Sequence, residues 1–149
     1  MSLYKHILVA IDGSPTSDKA LDEGIRLARS DGASLLLLHV VDELDYVRGF
    51  ESAMIYVNEI VPLMRETGEK LLVRARQKAL EQGVTAGSVL LAGGAGRVSE
   101  HVNEQVRLAG AELIVIGSHG RRGMDRVLLG SDAEQIVRHA RLPVLIVRV

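Results

Sequence analysis

The sequence contains no cysteine, no tryptophan, one phenylalanine and three tyrosines among 149 residues. Without thiols the chain cannot form disulfides, thiolate nucleophiles, zinc–thiolate sites or iron–sulfur clusters. The scarcity of aromatic rings also argues against the stacking platforms that hold single-stranded nucleic acids. Thiol-based redox and metal chemistry is thereby excluded, and single-strand binding is disfavoured.

The sequence also has no excess of charge of one sign, because 18 Lys and Arg residues balance 19 Asp and Glu residues to give a net charge of -1. A near-neutral chain has no electrostatic basis for binding DNA, RNA or an anionic membrane. No apolar run reaches membrane-spanning length, and residues 1–5 lack the pattern of a signal peptide. We therefore expect a soluble, cytoplasmic protein with neither nucleic acid nor membrane as a partner.

Short apolar runs alternate with helical patterns along the whole chain. The runs predict five strands, at His6–Ala10, Leu35–Val41, Val89–Ala92, Leu113–Ile116 and Val144–Val147. Helical spacing predicts four helices, at about 15–30, at about 58–82, from near Val98 to a stop at Gly110, and from near Ser131 to before Pro143. This alternation predicts one α/β domain over residues 1–149, with a mostly parallel sheet between two layers of helices. The irregular stretch from Asp42 to about Val57 is predicted to be a lid or partly disordered.

The loop after the first predicted strand reads Asp12-Gly13-Ser14-Pro15. Ligands of open parallel sheets bind beyond the carboxyl ends of the strands, where the strand order reverses. Asp12 there either accepts hydrogen bonds from ribose hydroxyls or, with Ser14, only shapes the turn. Ser14 suits the N-cap of the next helix and Pro15 its first position.

The loop after the fourth predicted strand is rich in glycine and leads into Gly130-Ser131 at the start of the last helix. Glycines let a backbone approach a phosphate, and a helix N-terminus adds partial positive charge. The Ser131 hydroxyl, Arg121 and Arg122 would add to such a site, although both arginines are also explained as solvated side chains. A structural alternative is a capping box, in which Ser131 and Glu134 satisfy helix amides between themselves.

A third glycine-rich loop, Gly93-Gly94-Ala95-Gly96, follows the third predicted strand. It lacks the Lys-Ser/Thr ending of a P-loop and the third glycine of the dinucleotide fingerprint. We interpret it as a turn.

These motifs together resemble those of the universal stress proteins, and the resemblance covers nearly the whole chain. His6-Ile7-Leu8-Val9-Ala10-Ile11-Asp12-Gly13-Ser14 is similar to the family's first strand and turn, and His39-Val40-Val41-Asp42 to the end of its second strand. The strongest match is Gly117-x2-Gly120-x9-Gly130-Ser131, which has the complete spacing of the family's G-2x-G-9x-G-S/T motif. The intact motif indicates the ATP-binding class of the family.

The resemblance implies a Rossmann-like, doubly wound domain whose five-stranded sheet has the order 3-2-1-4-5. It also implies that ATP, or a close adenine nucleotide, lies across the first and fourth strands. Asp12 would lie near the ribose, the backbone of Val41 at the adenine edge, and the glycines with Ser131 at the phosphates. The implied contact residues are Ala10, Ile11, Asp12, Val41, Ile116, Gly117, His119, Gly120, Arg121, Gly130, Ser131, Asp132 and Ala133.

Asp132 carries a negative charge next to the implied phosphates. It either helps to hold Mg²⁺ or Mn²⁺ through water or points to solvent as a favourable first-turn acid, and the sequence leaves both open. His119 is the only histidine in the implied site, and no second acid is placed to activate water. We therefore expect no catalytic residues, slow ATP hydrolysis at most, and a stress-response switch in which nucleotide orders the glycine-rich loop and the 42–57 segment.

The last predicted strand, extended in the sequence to Val144–Val149, is an apolar candidate for the edge of the sheet. Exposed apolar edges favour pairing with another chain, and the resemblance implies a homodimer through this strand. The alternative to nucleotide binding is a nucleotide-free dimeric interaction module, in which the glycines are only turns and Ser131 only a cap. Under either hypothesis the protein partner is unknown.

Overall fold

One five-stranded sheet organises the domain. The computed structural model describes residues 1–41, 56–92, 96–119 and 129–148. All pairings in the sheet are parallel, and the order β3-β2-β1-β4-β5 confirms the predicted topology. The strands are β1 His6–Ala10, β2 Ser34–Val40, β3 Ala86–Leu91, β4 Leu113–Gly117 and β5 Val144–Val147.

Four α-helices lie within the described ranges, as predicted. A π-helical turn at Tyr56–Ile60 leads directly into the second of them. The C-cap of the third helix is Gly110, whose φ of 65° is the left-handed conformation that suits glycine. The helices are α1 Pro15–Asp31, α2 Val61–Glu81, α3 Val98–Ala109 and α4 Ser131–His139.

The start of β3 differs from the prediction by three residues. Ala86, Gly87 and Ser88 pair with β2, although this part of the strand has only one apolar side chain. β3 is an edge strand in which Gly87 and Ser88 are exposed, so a buried apolar run is not required there. The apolar pattern therefore predicted only the C-terminal half of β3.

Two apolar layers enclose the sheet. Ile7 and Val9 of β1 pack with α1 and α2 on one face, whereas Leu8 packs with α3 and α4 on the other. These three side chains are at most 1% exposed. Burying a side chain of this size contributes roughly 1.5–3 kcal/mol, so the central strand is a main source of stability. None of the helices in the described ranges has the length and hydropathy needed to cross a lipid bilayer.

The topology creates a crevice where β1 and β4 lie side by side. The chain leaves β1 into α1 on one face of the sheet, and α4 follows β4 on the other face. The segments after these two strands therefore diverge at the carboxyl end of the sheet. This is the switch point at which open α/β sheets bind ligands.

Candidate functional site

A cleft opens at this switch point with a cavity volume of about 390 Å³. Small-molecule sites in proteins range from roughly 300 to 1,000 Å³. The loops after β1 and β4, the end of β2 and the first turn of α4 surround it. All of the predicted site residues that lie in the described ranges line this cleft: Ala10, Ile11, Asp12, Val41, Ile116, Gly117, His119, Gly130, Ser131, Asp132 and Ala133.

Several sequence predictions fall wholly or partly outside the described residues. Gly120 and Arg121, the other two predicted contacts, belong to the segment between 119 and 129. The 42–57 stretch, interpreted as a lid, is described only from residue 56 onward. Gly93, Gly94 and Ala95 of the third glycine-rich loop, and Val149 of the predicted edge strand, also lie outside the described ranges.

Asp12 is part of a tightly bonded turn between β1 and α1. Its Oδ1 atom accepts a hydrogen bond from the Ser14 amide at 2.9 Å, and its own amide donates to Ser17 Oγ at 2.9 Å. Ser14 caps α1, with φ -74° and ψ 159°, and its Oγ accepts from the Ser17 amide at 3.2 Å. The carboxylate thus shapes the turn with one oxygen. Its second oxygen accepts no hydrogen bond from the described residues. The structure is therefore compatible with a ribose contact by Asp12 and also with a role in the turn alone.

Gly117 and Gly130 allow two close backbone approaches at the end of β4. A Cβ atom on Gly117 would lie 3.0 Å from the backbone carbon of Thr16. A Cβ atom on Gly130 would lie 3.0 Å from the Cα of His119, and the Gly130 amide donates to the Ser118 carbonyl at 2.7 Å. Packing within the protein therefore favours glycine at both positions, whether or not a ligand is bound.

The first turn of α4 faces the cleft. Gly130 is the N-cap, with φ -61° and ψ 156°, and the first intrahelical hydrogen bond runs from the Glu134 amide to the Gly130 carbonyl at 2.8 Å. The earlier amides of this turn have no acceptor within the helix, and the turn carries partial positive charge. An anion placed here would meet donors that are already aligned.

The capping box that the sequence offered as a structural alternative does not have Ser131 at the N-cap. Ser131 is the first helical residue, and the N-cap is Gly130, which has no side chain with which to cap the helix. The helix starts one residue earlier than a capping box requires, because the Gly130 amide is held against Ser118. Ser131 is exposed and lines the cleft, so its hydroxyl is not committed to helix capping.

His119 is held on both sides of its ring. Its Nε2 atom lies 3.2 Å from Thr16 Oγ1, and its Nδ1 atom lies 3.1 Å from Ser118 Oγ. Both hydroxyl-bearing residues are buried, at 1% and 5% exposure. The imidazole therefore joins the start of α1 to the end of β4, and its hydrogen-bonding atoms are engaged by the protein.

The sequence reasoning missed one wall of the cleft. Leu63, Met64, Thr67, Gly68 and Leu71 of α2 line it, and His39 of β2 lies beneath them. The length of α2 is the feature of the sequence that could have indicated this wall. Its 21 residues span about 31 Å at 1.5 Å each, whereas the six residues of β3 span about 20 Å. The N-terminal part of α2 must therefore extend past the carboxyl end of the sheet.

The described lining of the cleft carries two carboxylates, Asp12 and Asp132, and two histidines, His39 and His119. No set of three or more His, Asp or Glu side chains close enough to hold a metal ion occurs in the described part of the chain. A metal ion bound here would need further ligands, such as phosphate oxygens and water.

The fold and the cleft define a Rossmann-like α/β domain with a cleft at its switch point. The sequence profile of the universal stress protein family matches residues 3–148, and the chain belongs to this family. It is 36% identical over 152 residues to the universal stress protein YxiE of Bacillus subtilis (strain 168), covering 98% of this chain and 100% of that protein. The fold resembles the crystal structure of a universal stress protein family member from Burkholderia pseudomallei, with 34% identity, a TM-score of 0.80 and coverage of 100% and 99% of the two chains.

Two more distant structures contain nucleotides. One is a universal stress protein in complex with cAMP, at 24% identity and a TM-score of 0.66, covering 99% of this chain and 98% of that one. The other is the universal stress protein from Archaeoglobus fulgidus in complex with dAMP, at 20% identity and a TM-score of 0.67, covering 98% and 99%. At these identities the likeness shows a shared fold.

Proposed function

We propose that this universal stress protein binds ATP, or a closely related adenine nucleotide, in the cleft. The observation that carries the proposal is the convergence of the Asp12 turn, the end of β4 and the first turn of α4 on one cavity of about 390 Å³. The chain also contains the complete glycine and serine motif that its family resemblance associates with ATP. The cAMP and dAMP held by two relatives share the adenine base and support this ligand class.

The phosphates are assigned to the first turn of α4. Its amides have no acceptor within the helix, and the Ser131 hydroxyl is not used as a cap. Helix N-termini of this kind bind phosphate groups through aligned donors and partial positive charge. The second oxygen of Asp12 would accept hydrogen bonds from ribose hydroxyls on the opposite side of the cleft.

The adenine is assigned to the end of β2. The Val41 amide donates to the Leu91 carbonyl at 2.8 Å, so this donor is already engaged. The Val41 carbonyl remains as the group that would meet the base, and a carbonyl accepts from an exocyclic amine. Met64 and Leu71 of α2 provide apolar surface for the ring. An acceptor at this position favours adenine over a base that presents a carbonyl there.

Mg²⁺ or Mn²⁺ is proposed to accompany a triphosphate. Asp132 is exposed in the first turn of α4, next to the assigned position of the phosphates. A divalent ion bound to phosphate oxygens and water would offset the negative charge of the triphosphate, with Asp132 as an additional ligand or outer-sphere partner. ATP affinity should therefore fall when divalent ions are removed.

The protein is proposed to act by binding and as a switch, with slow turnover at most. The imidazole of His119 is engaged by Thr16 and Ser118, which supports a structural role over that of a base. The switch would change the glycine-rich loop and the 42–57 segment, both mostly outside the described residues. Equal hydrogen exchange in these segments with and without ATP would contradict the switch.

Calorimetric titration of nucleotide-free protein with MgATP tests the proposal. We expect micromolar affinity, about -8 kcal/mol. Asp12→Asn retains the oxygen that accepts from Ser14 but removes the charge, and should weaken binding about tenfold or more. Ser131→Ala should weaken it about fivefold. Matched controls on α1, Asp18→Asn and Ser30→Ala, should bind like the wild type, and a folded wild type that binds no nucleotide would refute the proposal.

A second candidate function is a nucleotide-free dimeric interaction module. The close contacts of Gly117 with Thr16 and of Gly130 with His119 favour it, because they explain two motif glycines without a ligand. β5 lies at an edge of the sheet, where it would pair with the same strand of a second copy. Sedimentation velocity tests the dimer, and a folded dimer without nucleotide affinity would select this function.

A further inference from the structure

His39 donates a hydrogen bond to the turn that carries Asp12. Its Nδ1 atom lies 2.7 Å from the Ile11 carbonyl oxygen. A carbonyl can only accept, so Nδ1 carries the proton in this bond. The bond links the side chain at the end of β2 to the residue immediately before Asp12.

Both peptide groups of Ile11 are held by β2. The Ile11 amide donates to the Leu38 carbonyl at 2.8 Å, and the Ile11 carbonyl accepts from His39. Ile11 is also buried, at 5% exposure. Because the next residue is Asp12, these two bonds fix the direction in which the chain enters the turn. Ser14 and Ser17 then hold Asp12 from the α1 side.

Gly68 of α2 provides the space that the His39 ring occupies. A Cβ atom at Gly68 would lie 2.7 Å from His39 Cδ2 and 2.8 Å from Leu90 Cδ1. Glycine in a helix interior costs about 1 kcal/mol relative to alanine, so its presence here needs a structural reason. The contact with His39 supplies this structural reason, since any larger residue would displace the imidazole or the helix.

We propose that His39 is a positioning residue for the nucleotide site. It holds the Asp12 turn through the Ile11 carbonyl and is itself confined by Gly68, so the position of α2 is coupled to the position of the Asp12 carboxylate. The inference rests on the proposed nucleotide binding. It assigns a role to two residues that line the cleft but that the glycine and serine motif does not include.

Substitutions at His39 test the hydrogen bond. His39→Leu removes the donor and should weaken MgATP binding about fivefold to tenfold, the effect of losing one hydrogen bond. His39→Asn should restore affinity to within about threefold of the wild type, because its amide nitrogen lies as many bonds from Cβ as Nδ1 does. If His39→Leu does not fold, His39→Gln replaces it, since its donor is one bond further from the backbone.

A double-mutant cycle separates positioning from a general structural role. In the Asp12→Asn background, His39→Leu should weaken binding by less than about twofold, because its effect passes through the Asp12 carboxylate. A purely structural role would lower the melting temperature but leave the two effects additive.

Gly68→Ala tests the other half of the coupling. It should improve helix propensity yet weaken MgATP binding about fivefold, because the new methyl group displaces His39. Gly24→Ala is the matched control on α1, where a Cβ would lie 2.7 Å from Val9 Cγ2, away from the cleft. It should lower the melting temperature without changing the affinity of the folded protein.

Three results would contradict the inference, and only the last of them also contradicts the proposed function. If the wild type binds MgATP and the His39→Leu and Gly68→Ala variants bind it equally tightly, the positioning role is wrong while the proposed function stands. The same conclusion follows if the His39→Leu effect is undiminished in the Asp12→Asn background. A folded wild type that binds no nucleotide overturns the proposed function and this inference with it.

Discussion

The Gly130 amide donates a hydrogen bond of 2.7 Å to the carbonyl of Ser118, and this contact draws the start of α4 against the end of β4. The two segments are so close that a Cβ at Gly130 would lie 3.0 Å from the Cα of His119. The contact places the first-turn amides of α4 at the rim of the cleft. One glycine thus serves the packing and, through the packing, the geometry of the proposed phosphate site.

Gly130→Ala should lower the free energy of unfolding by about 1–3 kcal/mol, because the obstructing atom belongs to the backbone and must move. Urea denaturation monitored by circular dichroism measures the change. Gly87→Ala is the control, since a Cβ there meets nothing within 4 Å and the residue is exposed in β3. Equal stability of the two variants would contradict the close approach. Since a change at Gly130 also disturbs packing, Ser131→Ala is the cleaner probe of nucleotide binding.

Ser14→Ala should destabilise the protein by about 1 kcal/mol, because the N-terminus of α1 loses its cap. The measurement is again urea denaturation, with Ser30→Ala as an exposed serine near the other end of the same helix. We expect the control to remain within about 0.5 kcal/mol of the wild type. An equal loss in both variants would mean that the cap contributes nothing specific.

Thr16→Val should cost about 1 kcal/mol or more, because it keeps the shape of the buried side chain but leaves the Nε2 atom of His119 without its hydroxyl partner. Thermal unfolding with and without the substitution measures the loss. Thr85→Val, at an exposed position before β3, provides the control. Unchanged stability of Thr16→Val would show that His119 is not held at this nitrogen.

The exposed pair of Glu104 and Arg107 on α3 leads to a prediction about the effect of pH. Hydrogen bonding to Arg107, at 2.6 and 3.2 Å, and its charge hold the pKa of Glu104 below its ordinary value. Because the pKa of Glu104 is lower in the folded than in the unfolded state, its ionised form stabilises the folded protein at pH values above the unfolded-state pKa. This stabilisation is lost as the pH falls through the folded-state pKa. NMR titration of the Glu104 carboxyl carbon should show a midpoint that rises in Arg107→Gln. An unchanged midpoint would show that the pair does not form in solution.

Much of the fold could be predicted because the apolar pattern of a buried strand is local. The bounds of β1 and β5 were predicted without error, since each is a short and nearly continuous apolar run. The start of β3 was missed because an edge strand can pair through exposed residues such as Gly87 and Ser88. Local pattern carries no information about pairing that depends on a neighbouring strand.

The candidate site could be predicted where chemistry and spacing coincide, as at Asp12 and Gly117. The wall of the cleft that α2 forms depends on how far this helix extends beyond the sheet. No single residue of the helix indicates that distance. The role of Ser131 depended on where α4 begins, which the contact between Gly130 and Ser118 decides. His39 was assigned to a strand, and its bond to the Ile11 carbonyl follows only from the three-dimensional position of both residues.

Amide chemical-shift mapping with MgATP on labelled, nucleotide-free protein tests the central claim most directly. The largest shifts should occur at the amides of Ser131 and Ala133 in the first turn of α4, and at Asp12 and Val41 across the cleft. The groove between α1 and α2, which includes Arg74 and Lys78, serves as an internal comparison. Shifts confined to that groove, or no shifts at a saturating nucleotide concentration, would contradict binding in the cleft.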